Sequence, residues 1–250
     1  MINLPQSIGL NLPHIYNIRD IGGYPTKSGK ITRRRTFIRS ESLGRISPES
    51  QQALIDYGIR TIVDLRKISE TLAEPNVFLD SSVVYYHHQD MVGDMVFLEK
   101  PPDVEHAKHV SESYSQILDQ RKSSIGQILS TLASPNILPA IYHCAGGQDR
   151  TGIISALLLG IAGVPENMIT EDFALTARYQ INHYLSEDRP NETIPDGYSI
   201  ETYLSERCHP KSMSLTIRYM NENYGSIEGY VKEAGLNGSQ IESIRSALVE

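Results

Sequence analysis

Residues 137–162, ILPAIYHCAGGQDRTGIISALLLGIA, decide the fold. Residues 137–143 are apolar and lead to Cys144, which predicts a buried strand. Residues 151–162 are apolar nearly all round, which predicts a buried helix. Between them lies a short glycine-bearing loop, Ala145-Gly146-Gly147-Gln148-Asp149, with Arg150 opening the helix. Working outward, residues 59–65 (IRTIVDL) and 82–87 (SVVYYH) are short, apolar and β-branched, so both are expected to be buried parallel strands. Residues 36–39 form a further strand candidate. Ser47 is a plausible N-cap with Pro48 at the first helical position, and Gly58 ends that helix. Residues 111–132 follow a helical period with a break expected near Gly126. Helix patterns also cover 166–185, 211–223, 226–234 and 239–249. Residues 1–20 read as an irregular arm, and the polar stretch 89–110, interrupted by Pro101 and Pro102, as a mobile connection or lid. Alternation of buried strands with helices predicts an α/β fold, and with no separating linker we expect a single domain over residues 1–250.

Composition narrows what such a fold can do. Hydrophobic residues make up 40% and charged residues 21%, an ordinary globular mix. The formal net charge of -7 makes a generic nucleic-acid partner unexpected, so any bound anion must be held by a local site. Two cysteines, Cys144 and Cys208, form neither a disulfide framework nor a cysteine-only zinc site. No apolar run suits a membrane span, and the first residues resemble no signal peptide. The expected compartment is the cytoplasm, with export by a route that reads no such signal left open. No cofactor and no metal are expected.

The loop carries the chemistry. Residues between a strand end and a helix start can curl with their N–H groups inward, and Gly146 and Gly147 permit the dihedrals such a nest needs. The helix N-terminus adds free donors and a positive dipole end. Ala145 to Arg150 therefore form an anion cup with Cys144 at its base. A helix N-terminus and a guanidinium both favour the thiolate, and a thiolate facing a bound phosphate is a nucleophile. Arg150 can grip two equatorial oxygens as a fork. Thr151 is placed to donate its hydroxyl to the sulfur and ease its departure, and His143 to brace the loop from behind.

His143-Cys144-Ala-Gly-Gly-Gln-Asp-Arg150-Thr-Gly152 resembles the phosphate loop of the cysteine-dependent protein tyrosine phosphatase superfamily. With Asn17-Ile-Arg-Asp-Ile-Gly-Gly23, Phe37-Ile-Arg-Ser40, Gly58-Ile-Arg-Thr-Ile-Val-Asp-Leu-Arg66 and residues 219–230, the chain is similar to the bacterial tyrosine/serine phosphatase family. The resemblance implies a central, mainly parallel sheet flanked by helices, often with a helical lid. It implies phosphotyrosine hydrolysis through a phosphocysteine on Cys144, with phosphoserine/threonine or phosphoinositides as further substrates in some members. Gln148 stands where the family loop usually has Lys, which counts against phosphoinositides. A phosphorylated protein or peptide is the expected partner. A phosphoinositide phosphatase is the same-class alternative. A loop-cysteine sulfurtransferase and a non-catalytic phosphate reader are the alternatives from other classes.

Two residues are candidates for the general acid that protonates the leaving oxygen. Asp149 lies inside the loop, and the Asp-Arg-Thr run resembles that of myotubularin-like and Sac-like lipid phosphatases, where this Asp is a proposed acid. Asp90 follows a strand end, which faces the crevice in open α/β sheets, and matches an acid position of the resembled family. His87 and His88 point to opposite strand faces and suit no shared metal. Cys208 reads as a packed thiol. Lys27, Lys30, Arg33, Arg34 and Arg35 read as an edge-protecting face, or else as a basic rim for substrate. Arg19-Asp20 and Asp64-Leu65-Arg66 are expected to be ion pairs that shape loops, and Asp172 and Arg178 to be structural.

Overall fold

The computed structural model describes residues 9, 10, 12–96, 99–184 and 197–249, the side chains of 182–184 excepted. Its sheet is built from short strands: β1 Arg19–Asp20, β2 Phe37–Ser40, β3 Thr61–Asp64, β4 Tyr85–His88 and β5 Ala140–His143. They lie in the order β1-β2-β5-β3-β4, with β1 antiparallel to β2 and the other pairings parallel. Side chains alternate across a strand, so the register sorts them into two cores. Ile38, Ile141 and Ile62 are in register and share one face with Leu43, Leu54, Phe78 and Val84. Phe37, Ala140, Tyr142 and Val63 take the other face, in the larger core.

Helix α1 (Pro48–Tyr57) covers the smaller face through Leu54. It starts as its sequence predicts: Ser47 Oγ accepts from Ser50 N at 3.2 Å, and Gly58 closes it at φ 99°. The larger core takes α3 (His106–Gln120), α4 (Lys122–Leu132), α5 (Asp149–Ile161), α6 (Glu166–Tyr184), α7 (Ile200–Arg207), α8 (Pro210–Tyr224), α9 (Ile227–Glu233) and α10 (Gly238–Leu248). Helix α5 runs through its centre, against α6, α9 and α10. Among the described residues no helix is long and apolar enough to cross a membrane.

Several expectations need correction. β4 is exposed rather than buried, because it is the sheet edge; Tyr85 is 71% accessible. β5 begins at Ala140, after Pro139, which has no N–H for the ladder. The long helix expected over 111–132 starts earlier, at His106, and breaks at Arg121 (φ -113°, ψ 21°) rather than at Gly126. Gly126 is helical; a Cβ there would lie 1.8 Å from the Ala234 carbonyl oxygen, so the glycine serves a close approach. The stretch 89–110 thus supplies the first turn of α3, with residues 97 and 98 outside those described. Short helices α2 (Ile68–Ala73) and α7 carry too little apolar period to be read from sequence. The expected end of α6 at residue 185 lies outside the described residues, as do residues 1–8 and 11 of the arm, whose last two residues are not irregular but form β1 against β2.

Two features position the site. Ser40, His143, Asp64 and His88 are aligned across the parallel strands, so the loops after β2, β5, β3 and β4 leave the sheet side by side. That edge is where open α/β sheets gather ligands. Behind it, Asp172 of α6 reaches the sheet. It accepts from Arg19 Nε at 3.2 Å, Arg39 Nη1 at 2.6 Å and Tyr24 Oη at 2.9 Å, and all these side chains are buried. Burial alone would raise the Asp172 pKa, but the two guanidiniums hold it down to about 2. Arg19 therefore pairs with Asp172, while Asp20 accepts the N–H groups of Gly22 and Arg35.

Two predictions follow from packing and charge. Gly126→Ala must push α4 from the Ala234 carbonyl and should cost at least about 1–3 kcal/mol, the range for overpacking. Gly238→Ala meets nothing within 4 Å and should be neutral or stabilise by about 0.4–1 kcal/mol; urea midpoints for both variants measure this. Asp172→Ala leaves two buried guanidiniums without their carboxylate and should destabilise by about 3–5 kcal/mol. Because the folded Asp172 pKa is depressed, its stabilisation is present above the unfolded value of about 3.9 and is lost as pH falls from there towards 2. Urea titrations between pH 6 and roughly 2.5 should show a steeper decline for the wild type than for Asp172→Ala.

Candidate active site

A peptide unit points its carbonyl and its N–H in opposite directions. In the loop after β5, three successive carbonyls are caught from outside. Ala145 O takes the Ser42 N–H at 2.8 Å. Gly146 O takes Asn17 Nδ2 at 2.9 Å and Gln180 Nε2 at 2.7 Å, and Gly147 O takes Arg39 Nη2 at 2.9 Å. The following N–H groups, of Gly146, Gly147 and Gln148, are thereby turned the other way, and among the described residues none of the three meets an acceptor. With the open first turn of α5 they form a bowl of donors. Only Gly147 takes a positive φ (65°), and a Cβ there would lie 2.6 Å from the Ser40 carbonyl oxygen. Gly146 needs neither freedom.

Cys144, at the end of β5, is 3% exposed. Thr151 Oγ1 donates to its sulfur at 3.2 Å, across the first turn of α5. His143 is wholly buried behind the loop. Asn76 Oδ1 accepts from Phe78 N, which orients its Nδ2 towards His143 Nε2 at 2.9 Å. Nε2 is then the acceptor, and Nδ1–H donates to Cys144 O at 3.1 Å. Burial lowers the imidazole pKa despite Asp64 at 3.5 Å, so the ring is neutral and acts as a brace.

Arg150 meets Glu70, a residue outside the candidates above. Nη1 and Nη2 donate to the two carboxylate oxygens at 2.5 and 2.8 Å. Burial opposes charge on Glu70, yet the Arg150 bonds and the Lys67 N–H hold its pKa below the ordinary range. The available signal was the spacing Lys67-Ile-Ser-Glu70 just past a strand end: Glu70 returns to the Lys67 N–H at 2.7 Å to cap α2. Asn17, Arg39 and Gln180 were likewise not assigned to the loop, because their neighbourhood exists only once the sheet and α6 are assembled.

A cleft of about 530 Å³ opens beside the loop. Val92, Val110, Ile117 and Tyr114 give it apolar walls, while Asp149, Arg150, Glu70, Lys67 and His109 supply its polar groups. Of the two candidate acids, Asp149 lines this cleft and accepts from Tyr114 Oη at 2.5 Å. Asp90 caps a turn instead: its Oδ1 accepts from Val92 N at 3.0 Å and Gly93 N at 2.7 Å. Gln148 donates Nε2 to Arg207 O at 2.7 Å, which ties the bowl to the end of α7. Cys208, next in the chain, is buried and unbridged, and burial together with Asp149 pushes its thiol up to about 12. The basic run 27–35 does not form a rim. It enters β2 from the end of the sheet away from the loop, where Arg33 caps the last carbonyls of α10 and Arg35 lies 4.9 Å over the Tyr57 ring.

A tyrosine-protein phosphatase of Nostoc commune is 26% identical, over 85% of this chain and 74% of its own. The triple specificity protein phosphatase PtpB of Mycobacterium tuberculosis is 21% identical, over 95% of this chain and 98% of its own. Residues 10–250 match the profile of the tyrosine phosphatase family, and the chain belongs to that family.

Proposed function

We propose that Cys144 is the nucleophile of a protein tyrosine phosphatase reaction, with Asp149 as its proton donor. The observation that carries this reading is the sulfur at the foot of a loop whose carbonyls at residues 145–147 are held outward. A phosphate seated in the bowl receives the N–H groups of residues 146–148 and those of the first turn of α5, and Arg150 grips its equatorial oxygens. The sulfur attacks in line: the S–P bond forms as the bond to the leaving oxygen breaks, and Asp149 passes its proton to that oxygen. Water then attacks phosphorus, the S–P bond breaks, and the water proton returns to Asp149. The Thr151 hydroxyl steadies the departing sulfur. A sulfurtransferase would have no use for the acid beside this bowl.

The apolar walls of the cleft favour a flat aryl leaving group over a serine methylene. Burying an aromatic ring is worth about 1.5–3 kcal/mol, so phosphotyrosine should exceed phosphoserine by roughly 10–100-fold in kcat/KM. Phosphoserine and phosphothreonine are slower substrates in this reading, in line with the triple specificity in the name of PtpB. Phosphoinositides are disfavoured, because Gln148 adds no cation to the rim and its amide is engaged with Arg207. We place the chain, as a single domain over residues 1–250, in a reducing compartment such as the cytoplasm, in keeping with its two unbridged cysteines.

Steady-state hydrolysis of phosphotyrosyl and phosphoseryl peptides and of inositide head groups tests the assignment. Cys144→Ser in EDTA should abolish turnover of all of them, and turnover that persists overturns it. Inositide turnover above that of phosphotyrosine would reverse the substrate order. For the acid, the alkaline limb of the kcat–pH profile should vanish in Asp149→Asn and survive in Asp90→Asn. Loss of the limb in Asp90→Asn instead would transfer the role.

A further inference from the structure

Tyr114 lies within α3, is 2% exposed, and sends its hydroxyl to the Asp149 carboxylate. Its ring is braced. Phe173 meets it edge-on, with centroids 6.1 Å apart and planes at 84°. Phe173 in turn fills the space of a missing side chain on α5: a Cβ on Gly152 would lie 2.9 Å from Phe173 Cδ2. The phenol is thus fixed against the same helical turn that carries Asp149 and Arg150, and it also forms part of the cleft wall. Gln148 Nε2 is a second, longer donor to Asp149 Oδ1, at 3.4 Å.

We propose that Tyr114 is a positioning residue for Asp149: its hydroxyl holds Oδ1, so that Oδ2 carries the proton towards the leaving oxygen. The inference rests on Asp149 being the proton donor. As the P–O bond breaks and the S–P bond forms, the Oδ2 proton moves to the leaving oxygen of the substrate and Asp149 becomes a carboxylate. A hydrogen bond from a phenol to a charged carboxylate is stronger than one to a neutral acid, so the Tyr114 bond strengthens during that transfer. Burial, and next the Asp149 charge, push the Tyr114 pKa well above its ordinary value, so the phenol remains a donor throughout the working range.

Several other groups surround Asp149. Arg150 adjoins it and Cys144 lies at the base of the same loop; His106 and His109 come from α3, Cys208 from the end of α7, and Lys67 and Glu70 from across the cleft. Burial and neighbouring cations lower His106, and burial lifts Cys208 to about 12, so neither sets an alkaline limb near neutrality. His109→Gln serves as a second background, in which an imidazole contribution from that position is absent.

The test compares kcat–pH profiles for phenyl phosphate and p-nitrophenyl phosphate in wild type, Tyr114→Phe, Asp149→Asn and the double variant. Loss of the phenolic donor destabilises the carboxylate, so in Tyr114→Phe the alkaline limb should move up by about one pH unit or more, in either His109 background. With phenyl phosphate, whose leaving group needs the proton, the plateau kcat should fall roughly tenfold; with p-nitrophenyl phosphate it should stay within about twofold. Adding Tyr114→Phe to Asp149→Asn should change nothing further, because the two act as a unit. That background also controls for folding, since a folding defect would lower kcat there as well. An unmoved limb, or an equal fall on both substrates, assigns Tyr114 a packing role and overturns the proposal. A limb that survives Asp149→Asn removes the proton donor itself, and the proposal with it.

Discussion

The opposed directions of C=O and N–H within one peptide unit govern the catalytic edge of this protein. For the bowl to present donors, the carbonyls of residues 145–147 must be held outward, and each is held by a different part of the chain. The captors are the Ser42 amide after β2, Asn17 in the arm with Gln180 on α6, and Arg39 within β2. Asn17 stands 129 positions from the carbonyl it holds. The loop is therefore a product of the assembled sheet. A buried guanidinium is an expensive captor, since each desolvated ion costs several kcal/mol unless it is paired. Asp172 offsets this for both Arg39 and Arg19, which binds α6 to the first two strands. The ion cluster and the loop shape thus stand or fall together.

The same logic makes a bowl of donors compatible with an acidic chain of formal charge -7. Three arginines near the edge are matched by carboxylates: Arg39 with Asp172, Arg66 with Asp64, and Arg150 with Glu70. Arg66 also donates to Ser42 Oγ and Glu74 O, so it braces the β2 loop rather than facing a ligand. The positive potential of the bowl comes from oriented amides, from the N-terminus of α5 and from one partly exposed guanidinium. Such a field is local and indifferent to net charge. The cup could accordingly be inferred from the Cys144–Arg150 run alone, while the basic cluster at 27–35 proved irrelevant to it.

What the sequence made legible follows the range of the forces involved. Helix α1 was readable because its cap, first-turn proline and terminal glycine act within a few residues. The strand–loop–helix unit at 137–162 was readable for the same reason, and it brought Cys144, Thr151 and Arg150 with it. The break at Arg121 was not readable: Gly126 is the stronger local breaker, but contact with the Ala234 carbonyl decides its conformation. Residues 82–87 show an apolar, β-branched pattern whether the strand lies at the centre or the edge of a sheet, so the exposure of β4 awaited the strand order. Glu70 and Tyr114 escaped for a related reason. Each belongs to the site only through a partner 80 or 35 positions away, and neither lies in a segment whose local pattern marks it as functional.

Glu70 ties the order of a small helix to the placement of Arg150. Helix α2 spans Ile68–Ala73, buries no side chain, and so has little packing of its own to hold it. Its first turn is fixed by the Glu70 carboxylate, which accepts the Lys67 N–H and both terminal nitrogens of Arg150. Ordering α2 and aiming Arg150 are therefore one event. An arginine side chain carries about 2 kcal/mol of rotamer entropy, and here that freedom is surrendered on folding rather than on binding. Glu70 grips the guanidinium end-on, through Nη1 and Nη2. The Nε–Nη2 edge keeps two parallel N–H bonds, the pair a phosphate needs for a two-point grip. A carboxylate on the arginine is thus compatible with an anion in the bowl: it occupies the far end of the guanidinium and leaves the Nε–Nη2 pair of donors to spare.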